Sequence, residues 1–298
     1  MTTTDTRTDS GLESPLQERS GRDDPTASTN GLVRPKRPAG TRPRPRGVSL
    51  ALRALVPLAA LGLWWLVTGT GWVRHQLLVS PWEVVMTFGN MFRTENLAYQ
   101  IGVSLARAGV GLVIGASAGL VLGAVAGLYR LGEELVDAPM QMLRTVPFLA
   151  VVPLFILWLG IGETPKIVLI ALATAFPVYL NTSNGVRNVD RRVVEAMRAY
   201  GMKKAQLTRE VVLPLALPQI FTGLRFSMGV SVLALIAAEQ INAKAGIGYL
   251  LNQAESYQQV NVLLVCVFVY CAFGLIADLI VRLLERLAIP WRHGVAAR

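Results

Sequence analysis

Asn181-Thr-Ser-Asn-Gly-Val-Arg-Asn-Val-Asp190-Arg-Arg-Val-Val-Glu195-Ala-Met-Arg-Ala-Tyr-Gly201-Met-Lys-Lys-Ala-Gln-Leu-Thr-Arg-Glu-Val-Val-Leu213-Pro214 is a polar interlude between two long apolar runs, and its internal order decides the fold. Asp190 is placed to cap a short helix that reaches about Tyr200 and ends at Gly201. A second short helix, about 203–212, is expected to stop before Pro214, because the residue ahead of a proline is pushed out of the helical region. Val193, Val194, Ala196 and Met197 give the first helix an apolar side. The stretch holds seven basic and three acidic residues, a net +4, so it reads as a helix–glycine–helix element on a membrane surface rather than a slack link.

The flanking runs belong to a set of six. A hydrocarbon core of about 30 Å takes about 20 apolar residues per helix. Runs near 49–68, 107–128, 143–161, 165–182, 218–239 and 261–283 qualify. The third carries Pro147 and Pro153, and the turn Gly160–Pro165 makes a helical hairpin of the third and fourth. With the N-terminus inside, twenty Lys and Arg fall on inside segments and three on outside segments, and that bias places both termini in the cytoplasm. The whole composition agrees. The 298 residues have mean hydropathy +0.45 and are 52% hydrophobic, yet only 16% are charged and the net charge is +10. A soluble domain carries about 25% charged residues. Few charges with a positive excess exclude a soluble nucleic-acid binder and a disordered chain, and fit an all-α, polytopic membrane protein.

Residues 1–47 stand apart: polar, with a Pro- and Arg-rich stretch at 34–46 that cannot build a packed core. They read as a disordered cytoplasmic tail, and 291–298 as a short second one. The apolar run that follows is too long for the core of a secretory signal. The 48–290 region is then the membrane domain, with 183–217 as its cytoplasmic loop.

Gly111, Gly115, Gly119, Gly123 and Gly127 recur every fourth residue and form one slowly drifting ridge on the second span. In lipid there is no hydrophobic drive between helices, so small residues that let backbones approach are what pack them. Close helix packing is the reading preferred for this ridge over the lining of a pore.

Within the quoted stretch, Glu195-Ala196-Met197, three residues, Gly201, nine residues and Val211-Val-Leu213-Pro214 resemble the Glu-Ala-Ala signature of ABC-importer permeases. Met197 stands for the second Ala and Val211 for Ile, both apolar exchanges. Arg144-Thr-Val-Pro147, Val152-Pro-Leu-Phe-Ile-Leu-Trp-Leu-Gly-Ile-Gly-Glu163, Phe176-Pro177, Gly223-Leu-Arg225, Ala238-Glu239 and Gly246-Ile-Gly248 resemble the branch for sulfonates, taurine and nitrate. The resemblance runs from about residue 50 to 290. It implies a six-helix type I permease fold in a bacterial inner membrane, and a coupling role for Glu195, Ala196, Met197, Gly201, Leu213 and Pro214 against cytoplasmic ABC ATPase subunits. It also implies an extracytoplasmic substrate-binding protein. With six spans, the chain is expected to pair with a second copy, leaving the path at the two-fold interface. Aliphatic sulfonates are the favoured cargo; taurine, nitrate, bicarbonate and pyrimidine precursors use similar permeases.

No Gly-x-x-x-x-Gly-Lys-[Ser/Thr] phosphate loop occurs, so energy is expected from a partner. Two histidines, His75 and His293, are too remote for catalysis or a metal site, and Cys266 and Cys271 at i, i+5 do not suit a disulfide. Neither a cofactor nor an enzymatic activity is read. Charges within the spans remain. Arg53, Arg107, Arg144 and Arg282 lie near span ends, where snorkelling to the surface is the default. Arg225, two turns into the fifth span, has three open roles: meeting an anionic substrate, pairing with an acid on a neighbouring helix, or satisfying carbonyls near Pro214 and Pro218. Asp278 is set to pair with Arg282 at i, i+4. Glu239, at the outer end of its span, is either a gate or binding-protein contact or a plain surface carboxylate. A stand-alone secondary transporter is the competing reading, but such proteins show paired halves and coupling acids that this chain lacks.

Overall fold

The computed structural model describes residues 46–71, 73–74, 77–240 and 242–290, with side chains left out at 46–54, 148 and 149. Apart from 46 and 47, the polar tail read at 1–47 and the segment 291–298 lie outside the described residues. The chain divides into Met1–Leu55 and a unit Val56–Arg298. Every regular element among the described residues is helical: α1 (Arg46–Gly69), α2 (Pro81–Thr94), α3 (Leu97–Leu128), α4 (Arg130–Thr145), α5 (Phe148–Leu159), α6 (Thr164–Arg187), α7 (Arg191–Ala199), α8 (Lys204–Leu207), α9 (Leu213–Gln240), α10 (Ile247–Ser256) and α11 (Val260–Ala288).

Among the described residues, four stretches are long and apolar enough to cross a bilayer: Leu97–Leu128, Thr164–Arg187, Lys204–Gln240 and Val260–Ala288. The run read as a third span is not one straight helix. It divides between the end of α4 and all of α5, and the two helices are bent by 114°. Pro147 follows α4 and removes the donor that would carry the helix on. The remaining run, 49–68, falls on α1, whose Trp64 donates its indole N–H to the Val79 carbonyl at 3.1 Å and stacks on Phe268. Both cysteines are free thiols, Cys266 buried and Cys271 exposed.

The middle of the unit is α3 laid along α6, with α9 on the far side of α6. The glycine ridge lies in the first seam. A Cβ on Gly111 would meet the Ile170 side chain at 2.6 Å, and one on Gly123 the Tyr179 carbonyl at 2.6 Å and Thr182 Cβ at 2.8 Å. One on Gly127 would meet Val186 Cβ at 2.7 Å, and Gly115 and Gly119 abut the carbonyls of Ala171 and Ala175. In the second seam, a Cβ on Gly223 would stand 2.6 Å from that of Asn181, so α6 and α9 also approach through a glycine. This contact explains why α6 is buried along most of its length although it is a membrane helix.

The helix placed at 203–212 does not stop. Its first turn is α8, and residues Thr208–Val212 form a single π-helical turn, with the Leu213 amide donating to the Thr208 carbonyl five residues back. α9 then continues to Gln240. Pro214 has no amide proton, and its ring would press on the carbonyl four residues earlier. One wider turn just ahead of it relieves that conflict without ending the helix.

Candidate functional site

The two ends of the bundle carry the features of interest. At one end, Asp190 caps α7 by accepting the Arg192 amide at 2.9 Å. At the other end of α7, Gly201 sits at φ +85°, donating to the Arg198 carbonyl at 2.9 Å, while Met202 donates to that of Met197 at 3.3 Å. That pair of bonds closes the helix, and the left-handed residue it requires is glycine. None of the nine residues of α7 is buried. Its hold on the bundle is Val194, which joins Val189 and Leu128 against Val186, Val212 and Ala216. Glu195 and Ala196 are exposed, Met197 is half-buried, and Leu213 and Pro214 are half-buried at the start of α9. An amphipathic helix that packs Val194 against the ends of α3, α6 and α9 and half-buries Val193 and Met197 leaves its outer side open.

The opposite end holds a buried charge cluster that sequence reading missed. Arg107 and Glu239 are 5% and 1% exposed. The Arg107 guanidinium donates to Glu239 Oε1 at 2.7 Å and to the Ala245 carbonyl at 2.6 Å. Its other edge grips Glu163 through Nε and, at 2.8 Å, through Nη2. Glu239 accepts further from Ser104 Oγ at 2.8 Å and from the Gly248 amide at 2.8 Å. Tyr270 donates a longer bond at 3.3 Å. Ser104 in turn accepts the Ile247 amide at 2.8 Å, and Gln100 accepts that of Gly246 at 2.6 Å. The cluster therefore ties α3, the turn before α6, the end of α9, the entry to α10, and α11.

Two expectations are corrected here. Arg107 does not snorkel, and Glu239 is not a surface carboxylate; each satisfies the other where water is shut out. The glycines of Gly246-Ile-Gly248 fit that reading. A Cβ on Gly246, at φ +115°, would stand 2.7 Å from Arg107 Nη1, and one on Gly248 3.0 Å from the Tyr270 hydroxyl. The loop folds around the carboxylate because it has no side chains in the way. A usable signal was present: two carboxylates and an arginine at the same level of apolar helices seldom stay apart. Glu163 lies on the turn ahead of α6 with its side chain 54% exposed. Hydrogen bonding from Arg107 above all, with Lys166 Nζ at 3.0 Å adding to it, holds its carboxyl down to about 2 against the opposing effect of burial.

Arg225 takes the second of its three open roles. It pairs with Glu285 at 2.7 Å and stands 3.4 Å from Asp278, both on α11, while Asp278 also pairs with Arg282 at 2.7 Å. These groups are exposed or half-exposed on the side of the α9–α11 pair. Arg144 is not free of partners either, as its guanidinium lies over the Phe176 ring, 5.8 Å from the centroid. The structure brings Glu195, Ala196, Met197, Gly201, Leu213 and Pro214 to one end and Glu239 to the other. About 30 Å of helix separates Arg107 from the end of α3 at 1.5 Å per residue.

A family model described as the binding-protein-dependent transport system inner membrane component matches residues 111–289. SsuC of Escherichia coli (strain K12), named for aliphatic sulfonates transport, is 46% identical over 236 residues, covering 79% of this chain and 90% of its own length. The taurine transport system permease protein TauC of the same organism is 34% identical over 257 residues, covering 85% of this chain and 92% of itself. The nitrate import permease protein NrtB of Synechocystis sp. is 29% identical over 266 residues, covering 85% and 97%. Among solved structures, the inward-facing MetNI methionine ABC transporter matches with TM-score 0.51 at 23% identity, over 62% of this chain and 94% of that one. An amino acid ABC transporter with histidines matches with TM-score 0.54 at 20% identity, over 67% and 97%. These two share the fold. The chain belongs to the binding-protein-dependent inner-membrane components, the multi-pass ABC-importer permeases, in the branch that holds the sulfonate, taurine and nitrate proteins.

Proposed function

We propose that this chain is the non-catalytic membrane subunit of an ATP-driven importer of aliphatic sulfonates, paired with a second copy, fed by an extracytoplasmic binding protein and driven by separate ATPase subunits. The relative named for aliphatic sulfonates, at 46% identity over 79% of the chain, carries the cargo reading. The exposed α7 supports the drive reading: a short helix burying none of its residues suits a cleft on another protein. In this reading α7 faces the cytoplasm, both termini lie there, and Glu195, Ala196, Met197 and Gly201 form the contact. Leu213 and Pro214 join it to α9. Closing of two ATPase subunits pushes α7, Val194 passes the load to α3, α6 and α9, and the opposite end opens. The Arg107–Glu239 cluster sits where that opening takes place.

The test is uptake. Cells lacking their own sulfonate importer, given this chain with an ATPase subunit and a binding protein of a sulfonate importer, are expected to accumulate labelled alkanesulfonate. Omission of the ATPase abolishes the uptake. Accumulation of nitrate or taurine but not alkanesulfonate would transfer the chain to the cargo of its other relatives. Accumulation without the ATPase would sink the importer reading.

A further inference from the structure

The α7 end holds a cleft of about 670 Å³ whose basic residues the proposed coupling does not use. Arg198, Lys204 and Arg209 line it, no carboxylate does, and none of the three makes an ion pair among the described residues. Its floor is apolar: Leu128, Val194 and Leu207. Tyr129 stands at its wall, 64% exposed. We propose that this cleft binds the headgroup of an anionic phospholipid, a reading that rests on α7 facing the cytoplasmic leaflet.

Three observations carry this. The first is level. Tyr129 follows α3 about 33 Å of helix beyond Arg107, the depth of a hydrocarbon core, so with the Arg107 cluster at the outer surface the cleft falls among the inner headgroups. An exposed tyrosine is at home there. The second is the neighbouring helix. Two of the three acids of α4 turn toward the bundle, Glu133 to Arg187 at 2.8 Å and Asp137 to the Tyr179 hydroxyl at 2.7 Å, while the third, Glu134, pairs with Arg130 at its exposed first turn at 3.4 Å. Leu131, Leu135 and Met142 are then left pointing outward, each at least 70% exposed. An outward apolar stripe that starts beside a charged pair suits a helix at the lipid boundary, which sets acyl chains next to the cleft in this reading. The third is charge. Three cations without a counter-charge call for a multiply accepting anion, and a phosphodiester at that level meets all three.

The test uses the full-length chain in detergent with phosphatidylglycerol and phosphatidylcholine in equal amounts, and reads retained lipid by native mass spectrometry. Phosphatidylglycerol is expected to be retained in preference. R198Q, K204Q and R209Q are each expected to weaken its retention about fivefold, and the triple variant to remove the preference. R191Q with R192Q removes two exposed charges from α7 that do not line the cleft, and is expected to leave the preference intact. Equal retention of both lipids overturns the proposal, as does an equal loss in the R191Q/R192Q control. Stabilisation by inorganic phosphate alone to the same degree would assign the cleft to a soluble anion. Retention unchanged in the triple variant, with the ATPase subunit no longer binding, would assign it to that partner. Lipid retention needs no transport, so it fails or succeeds independently of the uptake assay.

Discussion

Gly201 carries its consequence in its backbone alone. Its φ of +85° lies where side chains are strained, and nothing stands within 4 Å of where a Cβ would point. Gly201→Asp is therefore expected to cost about 1–2 kcal/mol locally, to leave the protein in the membrane, and to uncouple ATP hydrolysis from uptake. Gly201→Asn, better tolerated in that region, is expected to retain part of the uptake; full uptake in the Asp variant would count against the coupling role. Glu239 is the opposite case, a residue defined by its partners. Glu239→Gln leaves Arg107 buried with less counter-charge and is expected to destabilise by about 3–5 kcal/mol. Arg107→Met combined with Glu239→Met should cost less than the two single changes added, by thermal unfolding in detergent. Glu163 sets a pH window. Its folded value is about 2 against an ordinary 4.5, so the stability it contributes is fully present above about 4.5 and is lost as pH falls toward 2. The melting difference between wild type and Glu163→Gln should be constant above pH 5 and shrink below it. Glu239 was legible as a carboxylate ahead of two glycines, but its burial was not, because Arg107 lies 132 residues away and only the fold brings them together.

At the scale of elements, what was readable was what local pattern dictates. Asp190 and Gly201 bracket α7 because a cap and a left-handed residue act within one turn. The ridge of glycines was visible as a period of four, and its mate on α6 was not, since nothing local says which helix will lie in the groove. Gly119→Leu is expected to abolish folded protein rather than weaken transport alone, because a Cβ there already stands 3.0 Å from Val178 Cβ and the Tyr179 amide nitrogen. Normal yield and uptake in that variant would contradict it. The break at Pro147 and the continuation through Pro214 show the limit of proline as a signal. Both lack the amide donor, but a π-helical turn absorbs the second, and the conditions for such a turn lie in how α9 is held, not in the neighbouring letters.

For the whole molecule, composition already separated a membrane protein from a nucleic-acid binder. Topology read from basic residues remains open to reporter fusions, which are expected to place 183–217 in the cytoplasm; an outside location would reverse the proposed assignment of both ends. The charge cluster at the far end and the α9–α11 ion pairs were not legible, since both depend on contacts between helices far apart in the chain. Carbonyl oxygens of Ile167, Ala171, Ala175, Tyr179 and Ser183 lie opposite the five glycines, one to each, with the same spacing of four. Beside them the side chains of Ile170, Thr174, Val178, Thr182 and Val186 press against the same glycines, again one to each. A slide of α3 along its axis would carry the gaps left by the glycines off those oxygens and side chains, so the seam resists shear. α3 and α6 are then expected to travel as one stave during any rocking of the protein.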